Sequence, residues 1–241
     1  QEHLAMNQSK QSATTRFLML LVFSFNLLLS LAVFSADAKR TLNVDDLSAI
    51  KNVSGPQISP DGLWVAYTLT EVDSKADVTR SDIWLTRWDG SETKQLTDSA
   101  ESEHTPRWSP DGQHLAFLST GIDLDTVDQL WLIEPKTSKL QRVTSLANGI
   151  SDFNWGPDSR SIVMISDVIP LGSGVEPDGG PLVIDRMLFK RDAYGYLGKA
   201  RSRLHLLDFT NPSVVHLTTG PLDEILLSFS PDGTRIAYVT T

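Results

Sequence analysis

Four short apolar runs, each entered through a tight corner, organise this chain. They read LWVAYTLT (63–70), QHLAFLST (113–120), RSIVMISD (160–167) and TRIAYVTT (234–241). Their Val, Ile, Tyr and Phe suit strands. The run before each corner is strand-like as well: QIS (57–59), RWS (107–109), DFNWG (152–156) and ILLSFS (225–230). The corners are Ser59-Pro60-Asp61-Gly62, Ser109-Pro110-Asp111-Gly112 and Ser230-Pro231-Asp232-Gly233, with a decayed copy at Gly156-Pro157-Asp158-Ser159. Proline presets its own φ, aspartate hydrogen-bonds nearby backbone N–H groups, and glycine takes left-handed dihedrals that other residues resist. Each motif therefore predicts a hairpin. Ser159 lacks glycine's freedom, so the third corner is expected to be looser or of another turn type.

A second hairpin follows each of the first three. SDIWLTRWDGSETKQLT (81–97) turns at Asp89-Gly90, a strong hairpin signal. DQLWLIEPKTSKLQRVT (128–144) turns through Pro135–Ser138, and SRLHLLDFTNPSVVHLT (202–218) through Thr210–Pro212. Each unit is thus expected to hold four strands. The corner aspartates fall at 61, 111, 158 and 232. The first two intervals suit propeller blades of about 40–50 residues. The third interval is longer by about 27 residues, which sit between the second and third strands of that blade, at about 170–200.

Both faces of LWVAYTL are largely apolar, with Trp64, Ala66 and Thr68 against Val65, Tyr67 and Leu69. Strands covered on both sides need not alternate, and blades in a ring are so covered. Ala66, Ala116 and Ala237 share one offset from their corners, where a small side chain lets sheets approach. Leu96, Val143 and Leu217 recur near the ends of the fourth strands. The fold expected is all-β: a partial β-propeller of about three and a half four-stranded antiparallel blades. A two-layer sandwich with similar turns is the alternative.

Composition narrows the function classes. The 241 residues include 30 acidic and 21 basic side chains and no cysteine. The net charge of -9 argues against nucleic acid as a partner. Without cysteine there is neither a disulfide nor a thiolate metal site, although the compartment stays open. Residues 1–38 form a leader with Met6 as the plausible start: Lys10 and Arg16, then the apolar Phe17–Phe34, then a small-x-small end at Ala38. That is the layout of an export signal, leaving 39–241 as the exported, periplasmic or secreted part. An uncleaved membrane anchor is the alternative, since 18 largely apolar residues approach spanning length. Asn52-Val53-Ser54 matches a glycosylation sequon, a pattern that recurs by chance.

RWSPDGQHLAF (107–117), SFSPDGTRIAY (228–238) and QISPDGLWVAY (57–67) resemble the PD40, or TolB-like, propeller repeat. Two longer stretches are similar to the prolyl oligopeptidase (S9) serine peptidase family. LSAIKNVSGPQISPDGLWVAYTLTEVD (47–73) resembles that family's opening blade. DRMLFKRDAYGYLGKARSRLHLLDF (185–209) resembles the mid-propeller segment of its acylaminoacyl-peptidase-like members. The resemblance implies a non-catalytic gating propeller, a C-terminal α/β-hydrolase domain beyond residue 241, and short peptides as substrates. No G-x-S-x-G elbow occurs in the chain, so the family's nucleophile maps onto no residue here. A TolB-like binding propeller without activity is the alternative. The dipeptidyl-peptidase subgroup reads substrate amino termini with paired propeller glutamates, and no Glu-Glu pair occurs here.

Candidate contact residues lie in the aromatic and basic stretch: Arg186, Lys190, Arg191, Asp192, Tyr194 and Tyr196. Local positive charge suits a peptide carboxylate or an acidic partner, and tyrosine offers rigid contact area with a polar tip. A solvated, salt-bridged loop is the plainer reading. The five histidines show no metal spacing, and one aspartate per separated corner is no calcium cage. No cofactor is expected. Trp64, Trp84, Trp108, Trp131 and Trp155 read as core. Glu103 and His104 read as a solvated loop ahead of the strand at Arg107.

Overall fold

The computed structural model describes residues 41–120, 127–169, 190–191, 195–196 and 199–241. The chain divides into two units, 1–46 and 47–241, and the blades belong to the second. A 3-10 turn at Val44–Ala49 precedes the strands. The first blade holds β1 (Asn52–Ile58), β2 (Trp64–Asp73), β3 (Val78–Arg87) and β4 (Thr93–Gln95). The second holds β5 (Glu103–Trp108), β6 (Leu115–Ser119), β7 (Gln129–Glu134) and β8 (Lys139–Arg142). The third holds β9 (Asp152–Trp155) and β10 (Ser161–Val168), then, after the short β11 (Lys190–Arg191) and β12 (Gly195–Tyr196), β13 (Arg201–Asp208) and β14 (Ser213–His216). A last hairpin pairs β15 (Glu224–Phe229) with β16 (Ile236–Thr240). Within each blade the strands lie side by side in chain order, all antiparallel.

The sheets stack face to face, and strand parity decides which seam each side chain fills. Leu115 and Phe117 of β6 point to the first blade, packing with Ala66, Ile83, Leu85 and Ile133. Ala116 and Leu118 of the same strand point to the third blade, with Phe153, Trp155, Ile162 and Met164. Val163 and Ile165 of β10 point onward to Leu204 and Leu227. A two-layer sandwich has one core, whereas this chain has three in series. First strands touch in succession, β1 with β5, β5 with β9 and β9 with β15. Among the described residues, the backbones of the fourth strands come near no strand of a neighbouring blade. The blades therefore fan out from an axis near the first strands, as a propeller requires. Among the described residues nothing covers the outward faces of the end sheets: Val53 and Ile58 are more than half exposed, as is Leu226. Ala66 and Ala116 are fully buried at their seams, while Ala237 is exposed, its face meeting no further blade among the described residues.

Candidate functional site

The corners are joints between blades as well as turns. In each Ser-Pro-Asp-Gly corner the aspartate Oδ1 accepts the serine hydroxyl (2.6 Å) and the N–H two residues on (3.0 Å). The serine Oγ in turn accepts the N–H five residues on, at or one residue before the start of the second strand. The glycine stands at φ near +70°. The fourth residue of each corner meets the corner before it. A Cβ on Gly112 would lie 3.6 Å from Pro60 Cδ, and one on Gly233 would lie 3.1 Å from Pro157 Cγ.

The third corner corrects the sequence expectation. Ser159 adopts φ +56°, so the turn is of the same type as the others. Its Oγ accepts the Asp111 N–H at 3.0 Å, an inter-blade bond that glycine could not make. The missing first serine is replaced as well. Ser161 Oγ donates to Asp158 Oδ1, and it fills the space a side chain on Gly156 would occupy. The copy is compensated rather than decayed.

A second set of joints uses tryptophan. Trp108 Nε1 donates to Gln57 O (3.2 Å), and Trp155 Nε1 to Arg107 O (3.0 Å), each reaching back one blade. The equivalent residue at the last seam is Phe229, which has no N–H to give. Of the tryptophans expected in the core, Trp155 is a core residue, and Trp64, Trp108 and Trp131 pack against the core of the first seam. Trp155 is buried, whereas Trp64, Trp84, Trp108 and Trp131 are half-buried.

The third set lies at the opposite end of the blades. Leu96, Val143 and Leu217 each donate N–H to a third-strand carbonyl. A threonine follows each. Thr97 Oγ1 accepts the Ile83 N–H, Thr144 Oγ1 that of Leu130, and Thr218 Oγ1 that of Leu204. The hydroxyl proton is then free for one acceptor. At the first and last seams it is a glutamate of the next blade, six residues on, whereas in the second blade it is Gln129 on the third strand of the same blade, and Ile150 stands six residues on. Thr97 donates to Glu103 Oε2 (3.1 Å), Thr144 to Gln129 Oε1 (3.0 Å) and Thr218 to Glu224 Oε2.

Glu103 overturns its sequence reading. It opens β5, is only 3% exposed, and accepts hydroxyls from both Thr97 and Ser99. Burial pushes its carboxyl up to about 7, and the hydroxyl bonds offset this only in part. Asp82 of β3 lies close enough to act on it, β3 and β5 being in contact across the seam, and burial raises Asp82 as well. At the last seam the third-strand residue in the place of Asp82 is Arg203, 3.9 Å from Glu224 Oε1. Arg203 also donates to Leu222 O (2.5 Å) and Ser202 O (2.9 Å). Next to it, buried His205 is shifted down, first by burial, with His216 edge-on at 4.2 Å. His104, expected in a loop, is in β5 with Nε2 3.1 Å from Asp128 Oδ2.

Two clefts open along the first seam. One, of about 370 Å³, lies between the first two corners and is bordered by Trp64, Trp108, Lys94 and Lys136. The Lys94 ammonium sits 5.1 Å from the Trp64 ring centre. The other, of about 240 Å³, runs from Glu103 and Thr97 past Phe117 and Trp131 to Leu140. Among the described residues, no three His, Asp or Glu side chains converge as a metal site would need.

Most of the aromatic and basic stretch lies outside the described residues, including Arg186, Asp192 and Tyr194. Within it, Lys190 pairs with Tyr196 and Arg191 with Gly195 in a two-stranded ladder, and Lys190 is exposed. Residues 1–38 also lie outside. Among the described residues no helix is long and apolar enough to cross a membrane.

No protein-family model matches the chain. Its fold and repeats are those of a propeller domain similar, at low identity, to propeller regions of peptidases and of TolB proteins. The Uncharacterized peptidase YuxL of Bacillus subtilis is 29% identical over 209 residues, covering 83% of this chain and 31% of its own length. The Pyrococcus horikoshii acylaminoacyl peptidase overlays with a TM-score of 0.61 at 20% identity, over 78% of this chain and 28% of that one. TolB from Acinetobacter baumannii overlays at 0.51 with 19% identity, over 78% of this chain and 37% of that one. The chain spans about a third of the length of the Bacillus subtilis relative.

Proposed function

We propose that this chain is the first part of the gating propeller of an exported serine peptidase acting on short peptides. Catalysis would belong to a hydrolase domain outside this sequence, with a serine attacking the peptide carbonyl and a histidine moving its proton. The observation that carries this reading is the similarity to the Bacillus subtilis peptidase over 83% of the chain. The propeller's part is exclusion: a packed ring of blades admits a flexible peptide and turns away a folded one. Residues 1–38 act as the export leader in this reading. Arg186, Lys190, Arg191, Asp192, Tyr194 and Tyr196 contact the substrate or the catalytic domain. The test is a serine-directed fluorophosphonate probe on the folded full-length protein, alongside hydrolysis of short chromogenic peptides. Labelling that tracks peptide hydrolysis is expected; a folded protein that neither labels nor cleaves ends the proposal.

The overlay with TolB favours a second reading, a binding propeller without activity. That protein would remain unlabelled and would retain a protein partner instead.

A further inference from the structure

We propose that the seam between the first two blades is a proton-operated joint, closed while the Asp82–Glu103 carboxyl pair holds a proton and loosened once both groups are charged. The chain supplies its own controls, because the same pair of positions, one on the third strand and one six residues after the threonine, is built three ways. Threonine ends the fourth strand at each seam and bonds the third-strand backbone. At the second seam the pair carries no charge: Gln129 on the third strand takes the threonine's proton, and buried Ile150 stands where the other seams have glutamate. At the third it meets a glutamate beside a buried arginine. Only at the first does it meet a glutamate beside an aspartate.

The acids around the pair make the second ionisation harder. From β3 comes Asp82 itself; from β2, Glu71, already paired with Lys51; from the loop after β4, Asp98. On β5, His104 is engaged with Asp128. Among the described residues no lysine or arginine pairs with either carboxyl. Thr97 and Ser99 offer one proton each; that of Thr97 goes to Glu103, and that of Ser99 is shared between Glu103 and the Glu101 carbonyl. Two neighbouring carboxylates repel, and β3 and β5 belong to different blades, so their repulsion acts directly across the seam. The adjoining 240 Å³ cleft admits the water that takes the proton away.

The direction follows from linkage. Glu103 titrates near 7 in the fold and near the ordinary 4.5 when unfolded. The native state therefore holds the extra proton between those values, and the seam weakens as pH rises through neutrality. Hydrogen exchange on the full chain at pH 5.5 and pH 8, corrected for intrinsic rates, tests it. Protection at 82–97 and 103–108 is expected to fall about tenfold on going to pH 8, while 129–144 and 203–218 hold. Glu103→Gln mimics the protonated acid, and Asp82→Arg copies the third seam; both are expected to flatten the response. Equal protection at both pH values, a change shared by all three seams, or a wild-type response in Glu103→Gln would overturn the joint. Should both variants fail to fold, carboxyl NMR on the wild-type chain decides it. A Glu103 midpoint near 7 supports the joint, and one near 4.5 removes it.

Discussion

The first and last seams of this molecule share a scaffold and differ in how they keep a buried glutamate. At the first, Glu103 sits beside another acid, and an indole N–H from Trp108 ties the blades together. At the last, Glu224 sits beside Arg203, and Phe229 offers no such tie. A buried carboxyl without a cation is more easily kept neutral, whereas taking the cation from a buried pair leaves its partner uncompensated. On the proposal above, the first seam is expected to respond to pH and the last to loss of one side chain.

The largest expected effect breaks the last seam. Arg203→Met strands Glu224 and frees the carbonyls of Leu222 and Ser202, and about 3 kcal/mol should be lost in urea denaturation. Asp82→Asn at the first seam should move stability the other way at pH 8, because it removes a repelling charge. If both variants lose stability equally, the contrast between the seams is wrong. A smaller effect sharpens it. Trp108→Phe deletes the bond to Gln57 O and should cost about 1 kcal/mol, with more lost at pH 8 than at pH 5.5. The smallest concerns the corners. Asp232 is held down to about 2 by the Ser230 hydroxyl, then by the Thr234 N–H and hydroxyl. Its contribution is present above the ordinary carboxylate range and is lost as pH falls through about 2, the reverse of Glu103. A carboxyl NMR midpoint near 2 is the expected reading, and one near 3.8 would dissolve the corner network.

What the sequence made legible was whatever is local. The Pro-Asp-Gly corners, the Asp89-Gly90 turn and the apolar runs announce four hairpins, and both-faced hydrophobicity announces stacking. Glu103 was hidden because TDSAESEHTP reads as solvated loop, and the burial that raises its carboxyl comes from a neighbouring blade. One signal was available: a threonine followed six residues later by glutamate, at 97 and 103 and again at 218 and 224. Ser159 misled for a related reason. Its left-handed backbone looks costly in isolation, yet its hydroxyl is repaid by Asp111 on the adjacent corner. The indole ties were likewise invisible, since a half-buried tryptophan and a core one look alike in sequence.

The row of corners also bears on how such a molecule grows. Each corner presents one surface forward, through its proline or aspartate, and receives another with its fourth residue, so the contact is head-to-tail. Head-to-tail contacts have no built-in stopping point; only the rotation per step decides whether the series closes. A duplicated repeat arrives with both halves of its coupling and docks without redesign. The number of units can then drift over generations while the joint between them stays fixed.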